Sequence, residues 1–141
     1  MMFKNILVPT DLTENSRKAM NIALDMVSRE KGARITLLHV IETIEDADEK
    51  EFGEFYDRLM KRAQEGMARL IDPLEEVSGY FDRKILFGKR VREIVNFASE
   101  NSVDLIIVSS HRIDRADMTQ GWATISYKVG ILSHCPVLMV K

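Results

Sequence analysis

Cysteine is nearly absent from this chain: Cys135 is the only one in 141 residues. No intramolecular disulfide can form, and a cysteine-rich metal centre is excluded. Glycine and proline are also scarce, at 7 and 3 residues, which excludes collagen-like, linker-like and low-complexity architectures. No apolar run approaches the roughly 20 residues that span a bilayer, and the first residues lead straight into a strand-like segment instead of a signal-type apolar region. A cytoplasmic location without membrane contact is the expectation. Neither sign of charge dominates, since 20 basic residues face 22 acidic ones for a net charge of −2. Nucleic acid requires a basic face, so it is not an expected partner.

What is present fits one domain, residues 1–141. A chain of this length, 45% hydrophobic, buries roughly 68–70% of the surface its unfolded form exposes. Five short segments at 3–8, 34–40, 83–87, 104–108 and 137–140 are continuously or nearly continuously apolar, as strands covered on both faces are. Between them the period lengthens to that of helices. Residues 14–30 carry Ala19, Ile22, Ala23, Met26 and Val27 on one face, with Asp11 or Thr13 suited to cap the helix and Gly32 to stop it. Residues 50–77 place Phe52, Phe55, Tyr56, Leu59, Ala63, Met67, Leu70, Leu74 and Val77 on one stripe, which Pro73 should kink or restart. Shorter helices are predicted over 90–101 and 121–133. Strict alternation of strand and helix implies right-handed crossovers and a doubly wound, five-stranded parallel sheet. The expected strand order is 3-2-1-4-5, which puts the switch point, and with it a ligand crevice, between strands 1 and 4.

One stretch is biased in charge. From Glu42 to Asp57, eight acidic residues are opposed only by Lys50. A solvated loop with acidic residues at the positive end of the second helix accounts for it, and a lid over the crevice is the functional alternative. On either reading it should be the least ordered part of the chain.

Several segments then stand together in order and spacing. They are Ile6-Leu7-Val8-Pro9-Thr10-Asp11, Leu37-Leu38-His39-Val40, Gly88 before the third helix, Asp104-Leu105-Ile106-Ile107-Val108 followed by Ser110-His111, and His134-Cys135-Pro136-Val137-Leu138-Met139-Val140. In these the whole chain resembles the universal stress protein (UspA-like) family, a Rossmann-like fold of the adenine nucleotide alpha hydrolase type. The resemblance implies a non-enzymatic stress-response or signalling protein that works as a homodimer, with ATP or AMP as the candidate cofactor.

Members that bind ATP carry Gly-x2-Gly-x9-Gly-Ser/Thr between strand 4 and helix 4. Glycines there let backbone N–H groups approach phosphate, and the hydroxyl residue caps a helix whose N-terminus attracts anions. Here the first glycine position is Ser109 and the second Arg112, while the third falls on Ala123, with Thr124 as the hydroxyl residue and one extra residue in the spacing. The phosphate half is thus altered at every glycine. The adenosine half maps by resemblance to Asp11 and Val40, so weak or absent ATP binding is expected, with a nucleotide sensor built on a modified phosphate loop as the alternative. Arg112 and Arg115 have two open roles: guanidiniums that hold phosphate in place of the cradle, or side chains that fill its space.

Other chemistries have less support. Asp11, His39 and His111 lie near strand ends that the topology brings together, as metal ligands would, but His39 has an equally good use bonded locally at its strand end. Ser109 and Ser110 follow a strand without the Gly-x-Ser-x-Gly elbow of a hydrolase. Cys135 has only His134 beside it to activate a thiolate, so an inert thiol is expected.

Overall fold

Segments that are apolar at every position become the inner strands of one parallel sheet. The computed structural model describes residues 3–43, 49–110 and 121–141, without the side chains of 49–51 and 121–124. In chain order the elements are β1 (Asn5–Pro9), α1 (Ser16–Met26), β2 (Arg34–Glu42), α2 (Glu49–Ile71), a 3-10 segment (Asp72–Tyr80), β3 (Phe81–Gly88), α3 (Arg90–Glu100), β4 (Leu105–Ser109), α4 (Gly121–Leu132) and β5 (Val137–Val140). The strand order is β3-β2-β1-β4-β5, all parallel. The topology is therefore the one expected from alternation.

Alternating side chains of the central strands feed two separate cores. Ile6 and Val8 of β1 join Ile35, Leu37, Ala19, Met20 and Met67 beneath α1 and α2. Leu7 points the other way and joins Leu38, Val40, Ile94, Ala98 and Val129 beneath α3 and α4. Each fully buried aliphatic side chain contributes roughly 1.5–3 kcal/mol of transfer free energy. The register at the amino ends is pinned by Asp104, whose carboxylate accepts from the N–H groups of Lys4 at 2.9 Å and Asn5 at 3.2 Å. At the other end β1 pairs with β4 only through Ile6 and Leu7. Beyond Leu7 that ladder stops, which opens the crevice at the switch point.

The largest departures from the periodic reading are at the ends of the first two helices. The first helix runs 16–26 instead of 14–30, because Val27 turns extended and bridges to Phe3, and Ser28 donates its N–H to the Phe3 carbonyl. Its N-cap residue is Asn15, with no side-chain capping bond, so neither Asp11 nor Thr13 caps it. The second helix ends at Ile71, and Pro73 opens the 3-10 segment, a restart broken at Glu75, where φ is +52°. Part of the acidic stretch, residues 44–48, lies outside the described residues, so the least-ordered expectation is not addressed there.

Gly88 ends β3 at a φ of +148°, which side-chain-bearing residues rarely adopt. A Cβ there would also fall 2.5 Å from Oε1 of Glu93 in the first turn of α3. Gly88→Ala is expected to lower the unfolding free energy by roughly 1–3 kcal/mol. The urea midpoint should drop at constant slope, and an unchanged midpoint would contradict the backbone account.

Candidate functional site

Thr10, 1% exposed, is the first residue past β1, and four hydrogen bonds meet on it. Its N–H donates to the Leu38 carbonyl at 2.8 Å, which extends the sheet one residue past Pro9. Its hydroxyl shares a proton with Ser16 Oγ at 2.6 Å and accepts the Leu12 N–H at 2.9 Å. Its carbonyl is 2.9 Å from Nδ1 of His39. A carbonyl only accepts, so Nδ1 carries the proton.

Asp11 comes next and uses one oxygen for the turn. Its Oδ1 accepts from the Thr13 N–H at 2.9 Å and the Thr13 hydroxyl at 2.6 Å. Oδ2 makes no hydrogen bond among the described residues. The carboxylate thus closes an Asx turn and still offers an acceptor to a ligand. It lines a cleft of about 60 Å³ at the carboxyl ends of β1 and β2, together with Thr10, Leu38, His39, Val40, Arg90 and Ile94. Arg90, the first residue of α3, brings the cleft a cation and stands 3.8 Å from the Glu42 carboxylate.

His39 also lines this cleft, and its ring is tied to the turn through the Thr10 carbonyl. Burial pushes its pKa down; the Thr10 carbonyl opposes that shift, Arg90 adds to it and Asp11 opposes it. Cys135 is half-buried, and desolvation raises its thiol pKa, which suits an inert side chain.

Asp11 and Val40 line the same cleft, but Ser109 does not. Ser109 lies in a second hollow of about 360 Å³ between the start of α1 and the ends of β4 and β5, with Asn15, Lys18, Ser110 and Lys141. Its hydroxyl donates to the Asn15 carbonyl at 3.3 Å, and its own carbonyl accepts from the buried Ser126 hydroxyl at 3.0 Å. The next N–H, of Ser110, donates to Val140 at 2.7 Å. Ala123 and Thr124 fall in the first turn of α4, where side chains are not described, and His111, Arg112 and Arg115 lie outside the described residues. Among the described residues no group of three or more His, Cys, Asp or Glu gathers to hold a metal.

Two basic residues at these clefts, Arg90 and Lys18, escaped the sequence reading. Arg90 was discoverable from Gly88-Lys89-Arg90, a turn at the carboxyl end of a strand leading into a helix. Lys18, which donates to the Lys141 carbonyl at 2.8 Å, reads in sequence as one more exposed helix lysine.

A model of the Universal stress protein family matches residues 2–141 of this chain. Universal stress protein YxiE of Bacillus subtilis (strain 168) is 28% identical over 151 residues, covering 99% of this chain and 100% of its own. Universal stress protein MJ0577 of Methanocaldococcus jannaschii is 28% identical over 159 residues, covering 100% and 96%. A solved structure of MJ0577 superposes with a TM-score of 0.80 at 30% identity, over 100% of this chain and 97% of that one. The Archaeoglobus fulgidus universal stress protein solved in complex with dAMP shares the fold at 16% identity, with a TM-score of 0.66 over the full length of both chains.

The lowered pKa of His39 makes stability depend on pH. The unfolded chain binds this proton more readily, so the contribution is fully present above the ordinary value of 6.5 and is lost as pH falls through the lower folded value. Asparagine keeps a donor for the Thr10 carbonyl but does not titrate. Between pH 7.5 and 5, the wild-type urea midpoint should therefore fall more than that of His39→Asn. Equal falls in the two proteins would refute the assignment.

Proposed function

Because the chain belongs to the universal stress protein family, we propose that it is a single-domain, non-enzymatic stress-response or signalling protein of the cytoplasm. It acts as a homodimer and binds ATP weakly or not at all. The observation that carries the ATP reading is Ser109. At the first position where the phosphate motif has glycine, this chain has a side chain whose hydroxyl is bonded to the start of α1 and whose carbonyl is taken by α4. The open backbone of a glycine cradle is therefore not on offer at Ser109. Each lost charge-assisted hydrogen bond is worth about 1.5–3 kcal/mol, or more than tenfold in affinity.

A second reading has its own support: an adenine-nucleotide sensor whose phosphate loop is modified. Oδ2 of Asp11, which has no hydrogen bond among the described residues, lies in a cleft with Val40 and suits a ligand hydroxyl or amine, and Arg90 stands close enough to meet negative charge. A fold relative has been solved with dAMP, but the reading rests on these residues. Arg112, Ala123 and Thr124 complete the proposed nucleotide set on this reading.

The dimer proposal rests on the contrast between the two sheet edges. β3 is blunted by exposed Asp82, Arg83 and Lys84, whereas β5 exposes Leu138 and Met139 and no charge. Beside it on α4 are Ile131, 80% exposed, and Leu132, 60% exposed. The Ile106 N–H donates to the Pro136 carbonyl, so the N–H groups of Val137 and Met139 face away from β4. A second β5 lying antiparallel would satisfy them in a closed two-fold assembly.

Two measurements test these proposals. Mg-ATP at tens of micromolar should leave the thermal midpoint unmoved, because a ligand at 100 times its Kd stabilises by about 2.7 kcal/mol and shifts a domain of this size by several degrees. A clear shift would overturn weak binding. Light scattering should give a dimer at micromolar concentration and a monomer for Val137→Pro, which removes an outward N–H without touching the β4 ladder. A wild-type monomer, or an unaffected variant dimer, would overturn the β5 interface.

A further inference from the structure

Three described non-glycine residues have φ in the left-handed region: Leu12 at +69°, Glu75 at +52° and Ser102 at +54°. Glu75 and Ser102 are exposed turn residues. Leu12 is different, because its side chain is partly buried and packs against the core under α1 and α2. A bulky apolar residue keeps this conformation only where its surroundings hold it there.

The holding surface is Gly66, toward the carboxyl end of α2. A Cβ on Gly66 would lie 3.1 Å from both Cβ and Cδ1 of Leu12 and 3.4 Å from Cδ2. The helix glycines Gly53 and Gly130 have nothing within 4 Å of the same point. Glycine weakens a helix interior relative to alanine, and at Gly66 its missing side chain makes the seat for Leu12.

Leu12 also sits between the two bonds that shape the cleft wall. Its N–H donates to Thr10 Oγ1, and the following N–H, of Thr13, donates to Asp11 Oδ1. Rotating Leu12 to an ordinary negative φ swings the Thr13 N–H away from Asp11, and the carboxylate loses its tether.

We propose that the Leu12–Gly66 contact is a positioning device, in which α2 holds the β1–α1 turn in its left-handed form and thereby aims the Asp11 carboxylate into the cleft. The consequence for ligand rests on the second reading above, an adenine nucleotide in that cleft. Leu12 and Gly66 touch no ligand themselves. They act through Asp11, and they make the seating of α2 an input to the site.

The test uses Gly66→Ala in the full chain. Alanine favours the helix and displaces Leu12, so stability and site geometry should move apart. The thermal midpoint is expected to hold or rise, while the Thr13 amide exchanges with solvent at least tenfold faster and AMP affinity, read by calorimetry, falls at least tenfold. Should Gly66→Ala lower the midpoint instead, Leu12→Gly decides, since glycine adopts the same φ without an anchor and should again speed Thr13 exchange. Thr13 exchange unchanged in both variants overturns the proposal. Wild-type protein that binds no AMP, with exchange accelerated in the variants, overturns the nucleotide reading and leaves the positioning role standing. AMP bound equally by wild type and both variants overturns the positioning role and leaves the nucleotide reading intact.

Discussion

Everything at the carboxyl end of this sheet depends on how Thr10 spends its hydrogen bonds. The Thr10 N–H continues the ladder to β2, and its hydroxyl and carbonyl tie α1 and His39 to the same point. The group is buried, and an unpaired donor or acceptor there would cost about 1–3 kcal/mol. β1, β2 and α1 are thereby locked together where β1 and β4 part. The turn beyond can then be strained at Leu12 and still be well defined.

The crevice divides unequally from that point. On the β2 side, Asp11 uses one carboxylate oxygen for its own turn, the other has no hydrogen bond among the described residues, and Val40 and Arg90 line the same cleft. On the β4 side, the polar groups at the strand end are bonded to α1, α4 and β5. A chain that cradled phosphate there would need those groups free and the backbone bare. The β2 cleft therefore brings a carboxylate and a cation together, while the hollow at β4 is lined by strand-end groups that are bonded within the protein.

Much of the fold is legible in the sequence. The strand order followed from alternation because a parallel sheet with helical crossovers admits few topologies. Continuous apolar runs marked the inner strands because both faces of each are covered. Helix ends were less readable: the 14–30 pattern overran because Val27 keeps its apolar period while its backbone has turned extended to bridge Phe3. Asp11 looked like a cap because aspartate before a helix usually is one, yet its partner is Thr13 within the turn. Arg90 was readable only as a basic residue after a turn, and the Leu12–Gly66 contact was not readable at all. The first becomes part of the cleft only when α3 is placed over β2, and the second joins residues 54 positions apart through a glycine whose role is the absence of a side chain.

The central claim is that phosphates add no binding at this crevice. Calorimetric affinities for adenosine, AMP and ATP, measured at one salt concentration with magnesium present, test it directly. The account predicts that AMP and ATP bind no more than a few-fold more tightly than adenosine. Affinity rising tenfold or more from adenosine to ATP would show that the β4 end does hold phosphate and would contradict the account.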